Sequence, residues 1–459
     1  MDLQLSTASD DRSLKGGATA ILRNMYAETQ TATDGRAVSL ETASGIASFS
    51  DTPEGDVSAM TAREGLFNGD VFSVHGASLY RTDSSGQSTQ LGQVDGDGPV
   101  TLAASRNEVL ICVSPNLYSY NGGDIAKVDM AGRGCSSITQ IGQRFVGTAV
   151  ESDRFYWSAL LDGRTWEGLN FATAEGRADT LVRAFATSQY IVLFGTETIE
   201  LYGLNASPRT ESDAFYRLSS GTMNHGLLAA GTVAQEDAFV FWLSDKKTIY
   251  AAAGYTPNKI SSPYVQSLIN QASDDELARA TGFTYTEDGH TFYVFTVPGR
   301  FSVMYDLGAG KWVDRDTIGR PDWRAHIGVR AFNRMIVADT TGSALLDLSL
   351  EHNTDLGLPM IQEFSAPQPI RNSQVIEGIT LDMFSNETGR IAMQFTENGG
   401  RTYTDWTNAN MSSPDSEDTQ VNWRPLGTGR PPERVYRFRC SVAARLTVRG
   451  CRINEGVDA

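Results

Sequence analysis

Tyr190-Ile-Val-Leu-Phe-Gly-Thr-Glu-Thr-Ile-Glu-Leu-Tyr202 is the stretch on which the fold turns. An apolar run of strand length, Tyr190 to Phe194, meets a polar turn. A second run, Thr198 to Tyr202, follows and ends in an aliphatic–Tyr pair. Just upstream, Leu181-Val-Arg-Ala184 supplies another short run. Three brief strands joined by tight turns form an antiparallel meander.

The same pattern recurs on both sides. Toward the N-terminus stand Leu66-Phe67 with Val71–Val74 and Ser78–Tyr80, then Thr101–Ala104 with Glu108–Val113 and Asn116–Tyr118, then Gln140-Ile141 with Arg144–Gly147 and Arg154–Ser158. Toward the C-terminus stand Ala229–Thr232 with Ala238–Trp242 and Thr248–Tyr250, Thr281–Tyr285 with Thr291–Phe295 and Phe301–Tyr305, and Ala325–Gly328 with Arg334–Ala338 and Ala344–Asp347. The spacing is roughly 40 residues, the size of a four-stranded propeller blade. One such unit cannot bury both of its faces, so the units must stack around an axis. A helical interruption, Pro263–Gln271 and then Asp274–Arg279, falls between the fifth and sixth units. Ser273 and Asp274 are candidate N-caps.

Past about residue 355 the texture changes. Pro359, Pro367 and Pro369 mark a linker, and longer alternating strands follow. In Arg434–Cys440, Val435, Arg437 and Arg439 alternate with Tyr436, Phe438 and Cys440, the mark of a strand wet on one face and dry on the other. Asn408–Gln420 reads as an exposed loop. The expected fold class is therefore all-β: a seven-bladed β-propeller over residues 60–354, then a small antiparallel β-sandwich over 355–459. Residues 1–59 are expected as an N-terminal arm with one strand.

Composition agrees. The chain has 459 residues, 40% of them apolar, 20% charged and 44 of them glycine. That suffices for two or three domains at about 150 residues each, with ordinary cores. No apolar run approaches the roughly 20 residues needed to cross a bilayer, so no membrane partner is expected. Met1-Asp-Leu-Gln-Leu shows no basic region followed by an apolar stretch. The expectation is of a chain made in the cytoplasm and kept there, or released by lysis.

The net charge of −17 argues against a general nucleic-acid-binding surface. Yet from Arg424 to Arg452 eight arginines face a single acid, Glu433. Two readings stand side by side: these arginines are solvated strand faces, or they dock a like subunit or an acidic partner. The candidate interface residues are Arg434, Arg437, Arg439 and Arg449.

Chemistry is harder to find. Cys112, Cys135, Cys440 and Cys451 form no C-x-x-C pair, and none of the five histidines lies at metal-ligand spacing. There is no G-x-S-x-G elbow and no phosphate loop. Asp95-Gly-Asp-Gly98 lacks the remaining ligands of a calcium loop and reads as a tight turn. Asp162-Gly-Arg-Thr-Trp166 and Asn398-Gly-Gly-Arg-Thr-Tyr403 resemble Asp-box hairpins, which decorate propellers without chemistry. Asp153, Glu197, Glu200 and Asp347 are the nearest candidates for a glycosidase carboxylate pair. The expectation is no catalytic residue, no cofactor and no metal.

Several segments resemble the packaged-DNA stabilisation (tail hub) proteins of podophages. These are Ile141–Gly147 through Arg154–Ser158, Leu169–Glu175, Tyr190–Gly203 with its phenylalanine, glycine, two polar residues and Thr-Ile-Glu-aliphatic-aromatic, Asp274–Ala278, and Leu446–Ile453. The likeness runs through most of the chain beyond about residue 60. It implies a structural virion protein that forms a ring, a homohexamer by family likeness. Such a ring extends the portal and its adaptor ring, carries a tail needle, gives tailspikes a platform and helps retain packaged DNA. An acidic lumen would repel DNA and let it slide without specific binding. The alternative is a carbohydrate-binding or glycoside-cleaving β-propeller with a lectin-like domain appended.

Overall fold

In the computed structural model, residues 12–18, 30–37, 52, 175, 177–178, 219–221, 412–418 and 456–459 are not described; all others are. The centre of the loop expected at Asn408–Gln420 lies outside the described residues. Its flanks are strands, Thr407–Met411 and Thr419–Trp423.

The protein is all-β, built around a propeller. Six sheets are meanders of four strands consecutive in the chain, over 57–93, 100–128, 135–173, 181–217, 234–259 and 281–315. Each is a blade. The first strands of successive blades pack around a common axis, while the second strands run buried over most of their length. Val71–His75 and Val109–Val113 are covered at every position, which is why they read as continuous apolar runs rather than as alternation.

The expected seventh unit differs from the other six. It supplies three strands of its own, Ala325–Ala331, Arg334–Asp339 and Leu345–Ser349, and takes its fourth from the N-terminus. There Gly45–Ser48 pairs antiparallel with Leu345–Ser349, from Ser48 opposite Leu346 to Gly45 opposite Ser349.

The apolar clusters lie between sheets rather than within them. One joins Phe72 and Val74 of blade one to Val109 and Ile111 of blade two. Another joins Leu110 and Cys112 of blade two to Phe145 and Tyr156 of blade three. A third joins Val57 and Val71 of blade one to Ile336 and Leu345 of the seventh sheet. Polar staples reinforce these seams. Glu108 of blade two accepts from the Gly163 amide at 2.6 Å. Gly163 belongs to the Asp-box turn, where Asp162 caps Arg164 N at 2.9 Å and Trp166 packs beneath.

Helices Pro263–Ile269 and Asp274–Ala278 stand where expected, between blades five and six. Ser262 caps the first, and Ser273 forms a capping box with Glu276.

The C-terminal strands and the N-terminal residues are woven together. One sheet runs Thr419–Trp423, Gln374–Ser385, Leu446–Glu455, Val38–Thr42 and Met25–Thr29, with Asp2–Leu3 on the side of Leu446–Glu455. The other extends blade six: Leu22–Arg23 pairs parallel with Lys311–Arg315 and antiparallel with Gln362–Pro369, and then Glu433–Cys440, Gly389–Thr396 and Thr407–Met411 follow. Both sheets bury one shared core around Phe364, Leu381, Phe438 and Val448. Described residues expected to form an arm thus supply strands to several sheets, with Leu22–Arg23, Val38–Thr42 and Gly45–Ser48 at interior positions, and the C-terminal region is continuous with the propeller.

Candidate assembly surface

The residues capable of chemistry are dispersed. Glu200, on the third strand of blade four, is buried; it accepts from the Gly176 amide at 2.6 Å and pairs with Arg217 at 2.8 Å. Asp347 lies in the seventh sheet, 3.3 Å from both Arg334 and His352. Asp153 sits in a turn of blade three and Glu197 in an exposed turn of blade four. No two of these four share a site.

The histidines are structural. Burial pushes His75 down to about 4, and its ring lies 2.7 Å from Ser73 Oγ. Burial also lowers His326, which bonds to the Ala338 carbonyl. His290 bridges Glu28 and Asp306. Among the described residues no cluster of three or more His, Cys, Asp or Glu is placed to hold a metal ion. All four cysteines are buried thiols. Among the described residues no helix is long and apolar enough to cross a membrane.

The arginine-rich strand divides by parity. Tyr436, Phe438 and Cys440 point into the core, as alternation requires, and Arg434 shares their face. Its guanidinium is 2% exposed and bonds Glu397 Oε1 at 2.6 and 2.9 Å and the carbonyls of Leu426 and Thr428 at 2.9 Å each. It also stacks 4.0 Å from the Phe395 ring. Arg434 is therefore an internal strut, which corrects its place among the interface candidates. The even numbering it shares with Tyr436 was the signal.

Arg437 and Arg439 project from the opposite face. Both reach the fully buried carboxylate of Glu363: Arg437 directly, Arg439 at 3.5 Å. Arg23 approaches the same group at 3.7 Å. Arg439 remains 35% exposed and lies 4.7 Å from the ring of Trp406, while Arg437 lies over Tyr403. Arg23 is held more closely by Asp316, at 3.1 Å, so the patch is formed by Arg437 and Arg439 over one buried acid, edged by two half-buried aromatics. Arg449, partly exposed, stands in the other C-terminal sheet, on Leu446–Glu455.

The Tyr190–Gly203 motif has a local mechanical role. Asp179 accepts from the amides of Glu197 at 2.9 Å and Thr198 at 2.7 Å, and from the hydroxyls of Thr196 and Thr198. Those donors hold its carboxyl below the usual range against the opposing effect of burial. A Cβ on Gly195 would stand 2.2 Å from Asp179 Oδ2. The glycine, the threonine and the glutamate of the motif thus lock the blade-four hairpin to the chain that leads into it.

Comparison with known proteins agrees with this geometry. Residues 9–352 match the profile of a phage-stabilisation family described as Bacteriophage P22 Gp10, beta-propeller. The match starts well upstream of residue 60 and so takes in Leu22–Arg23 and Gly45–Ser48, and it ends before Leu446–Ile453. The tail hub protein gp10 of Salmonella phage P22 is 22% identical over 260 residues, covering 52% of this chain and 53% of that one. The chain thus spans about half the length of the curated relative it matches. Among solved structures, the computationally designed Ika8 protein aligns at TM-score 0.42 and 12% identity over 72% of this chain and 100% of its own, too distant to carry an argument. With its blades, its motif and well over half its length covered by one profile, the chain belongs to the P22 Gp10 β-propeller family of phage-stabilisation proteins.

Proposed function

We propose that this chain is a structural tail-hub subunit of a short-tailed phage virion and has no catalytic role. The family match over residues 9–352 carries the reading. The engagement of Glu200, Asp347, His75, His290 and His326 in local bonds and pairs supports the second half of it.

In this reading six copies form a ring that extends the portal adaptor ring and presents surfaces to a tail needle and tailspikes. DNA crosses the lumen between subunits rather than the propeller axis, whose cavity is only about 280 Å³. A charge of −17 on each copy makes that lumen repel the genome. The seventh sheet acts as a seventh blade, a reading supported by its first strand packing against those of blades six and one. The two C-terminal sheets, which share a core, act as a sandwich. On it, Arg437, Arg439 and Arg449 are the docking charges for an acidic neighbour.

The test mixes the purified chain with a portal–adaptor complex and images the product by electron microscopy. A ring added below the adaptor supports the reading, while a chain that stays monomeric and unbound over a wide concentration range removes it. Turnover of a panel of chromogenic glycosides would instead favour the sugar-cleaving alternative.

A further inference from the structure

Asparagine is followed by glycine at three places in the chain, Asn68-Gly69, Asn121-Gly122 and Asn398-Gly399. The pairing carries a reactivity of its own. A glycine has no side chain to hinder it, so its backbone nitrogen can swing onto the carboxamide carbon of the preceding asparagine. Two conditions govern the reaction: a carboxamide free to turn, and a glycine amide not already given to an acceptor. The fold grants both at one of the three sites.

Asn398 is held by its neighbours. Its Oδ1 accepts from the Thr402 amide at 3.0 Å and from Thr396 Oγ1 at 2.9 Å, and its Nδ2 donates to Thr402 Oγ1 at 2.7 Å. At Asn68 the nucleophile is engaged instead. The Gly69 amide donates to the Leu66 carbonyl at 2.8 Å, in a tight turn where Asn68 itself has a φ of 63°. Asn121 differs from both. It opens the turn Asn121–Asp124, exposed at every residue, which joins Asn116–Tyr120 to Ala126–Val128 in blade two. Among the described residues neither its carboxamide nor the Gly122 amide has a hydrogen-bond partner. A Cβ on Gly123 would lie 3.9 Å from Asn121 Oδ1, so the carboxamide leans forward over the glycine backbone. Gly122, at a φ of 102°, uses the conformational freedom that glycine alone has in full.

We propose that Asn121 is a site of spontaneous deamidation, where the fold leaves the Asn-Gly reaction open while holding it back at Asn68 and Asn398. Base removes the Gly122 amide proton, and the nitrogen attacks Asn121 Cγ. The tetrahedral carbon expels Nδ2, which leaves with a proton as ammonia, and a five-membered succinimide remains. Water adds to either carbonyl of the ring and opens it. Each conversion therefore consumes a water and releases an ammonia. Opening on one side gives an aspartyl residue; opening on the other gives an isoaspartyl residue, whose backbone is longer by a methylene. Both add a negative charge to the −17 of the chain. The isoaspartyl form also lengthens a turn that abuts Phe67, whose ring stands 3.3 Å from where a Gly122 Cβ would be. The inference is independent of the tail-hub reading.

Ageing the full folded chain at mildly alkaline pH tests it, with peptide mapping by mass spectrometry and labelling by an isoaspartyl methyltransferase. Conversion is expected first at Asn121. It should run at least about ten-fold faster there than at Asn398, whose hydrogen bonds must break before the ring can close. Asn68 should also lag behind Asn121. In denaturant the three sites should converge, because the fold makes the difference between them. Asn121→Ser, on an exposed turn, should leave the melting curve unchanged and abolish the early isoaspartyl signal. Conversion of Asn68 or Asn398 as fast as Asn121 in the folded chain overturns the proposal, and so does a ranking that persists in denaturant.

Discussion

Arg434 and Arg437 stand three residues apart on one strand and serve opposite ends. Arg434, enclosed and bonded to Glu397 and two carbonyls, is the partner of a largely buried ion pair. Arg434→Met should therefore cost the fold about 3 kcal/mol, because it strands Glu397. Arg439→Met, on the exposed face, should cost within about 1 kcal/mol. Equal denaturant midpoints for the two variants would refute that division. Two other residues set the response to pH. Burial pushes the Asp314 carboxyl, beside Arg23 and Tyr264, up from 3.8 to about 6. The folded chain thus keeps a proton that the unfolded chain has lost, and stability falls as pH climbs from about 4 to about 6. Burial acts to lower His290, but its bonds to Glu28 and Asp306 outweigh that and raise it. The imidazolium's contribution is complete below the unfolded value of about 6.5 and fades as pH rises through the folded one. Thermal melts from pH 4 to 9 should show both declines. Asp314→Asn should flatten only the acidic one and His290→Gln only the one above pH 6.5.

Among elements, the two-residue strand Leu22–Arg23 has the most to hold. It bridges blade six and the C-terminal sheet, and the Leu22 amide is satisfied by Ser9 Oγ at 3.2 Å. Leu22→Pro removes that donor and breaks the bridge. Amide exchange along Gln362–Pro369 should then accelerate while blades two to four keep their protection; uniform acceleration would mean that the bridge is not a separate mechanical unit. Such a strand also shows where sequence reading runs out. Blade strands of five or six residues with buried aliphatic–Tyr pairs, such as Ile199–Leu204, declare themselves by composition and spacing. Leu22–Arg23 and Gly45–Ser48 are too short to show a period, and their partners lie about 300 residues downstream. The apparent arm was therefore read alone, whereas its meaning resides in its partners. Alternation did show which residues of Glu433–Cys440 share a face. It could not show that Glu363 would lie beneath Arg437 and Arg439, a neighbour supplied by an adjacent strand.

At the scale of the whole molecule, an acidic chain carries partly exposed arginines on each of its two C-terminal sheets. If these arginines dock a neighbour, association should weaken with salt, since screening shortens to about 8 Å at 0.15 M. Arg449→Glu combined with Arg439→Gln should weaken ring formation and reduce its salt dependence, because mismatched interfacial charge costs several kcal/mol. The monomer's Tm should change little. Sedimentation across a salt series reads both quantities, and unaltered association of the double variant would return these arginines to the role of solvated strand faces.

The pairing of Gly45–Ser48 with Leu345–Ser349 has a consequence during synthesis. The ribosome makes the first of these strands roughly 300 residues before the second. At about 5–20 residues per second, that edge waits roughly 15–60 s for its mate. Blades can stack one after another as they emerge, but Ile46 and the unpaired edge stay open to any other nascent copy throughout that interval. Until the last of these sheets appears, that strand is the place where two unfinished chains can join by mistake.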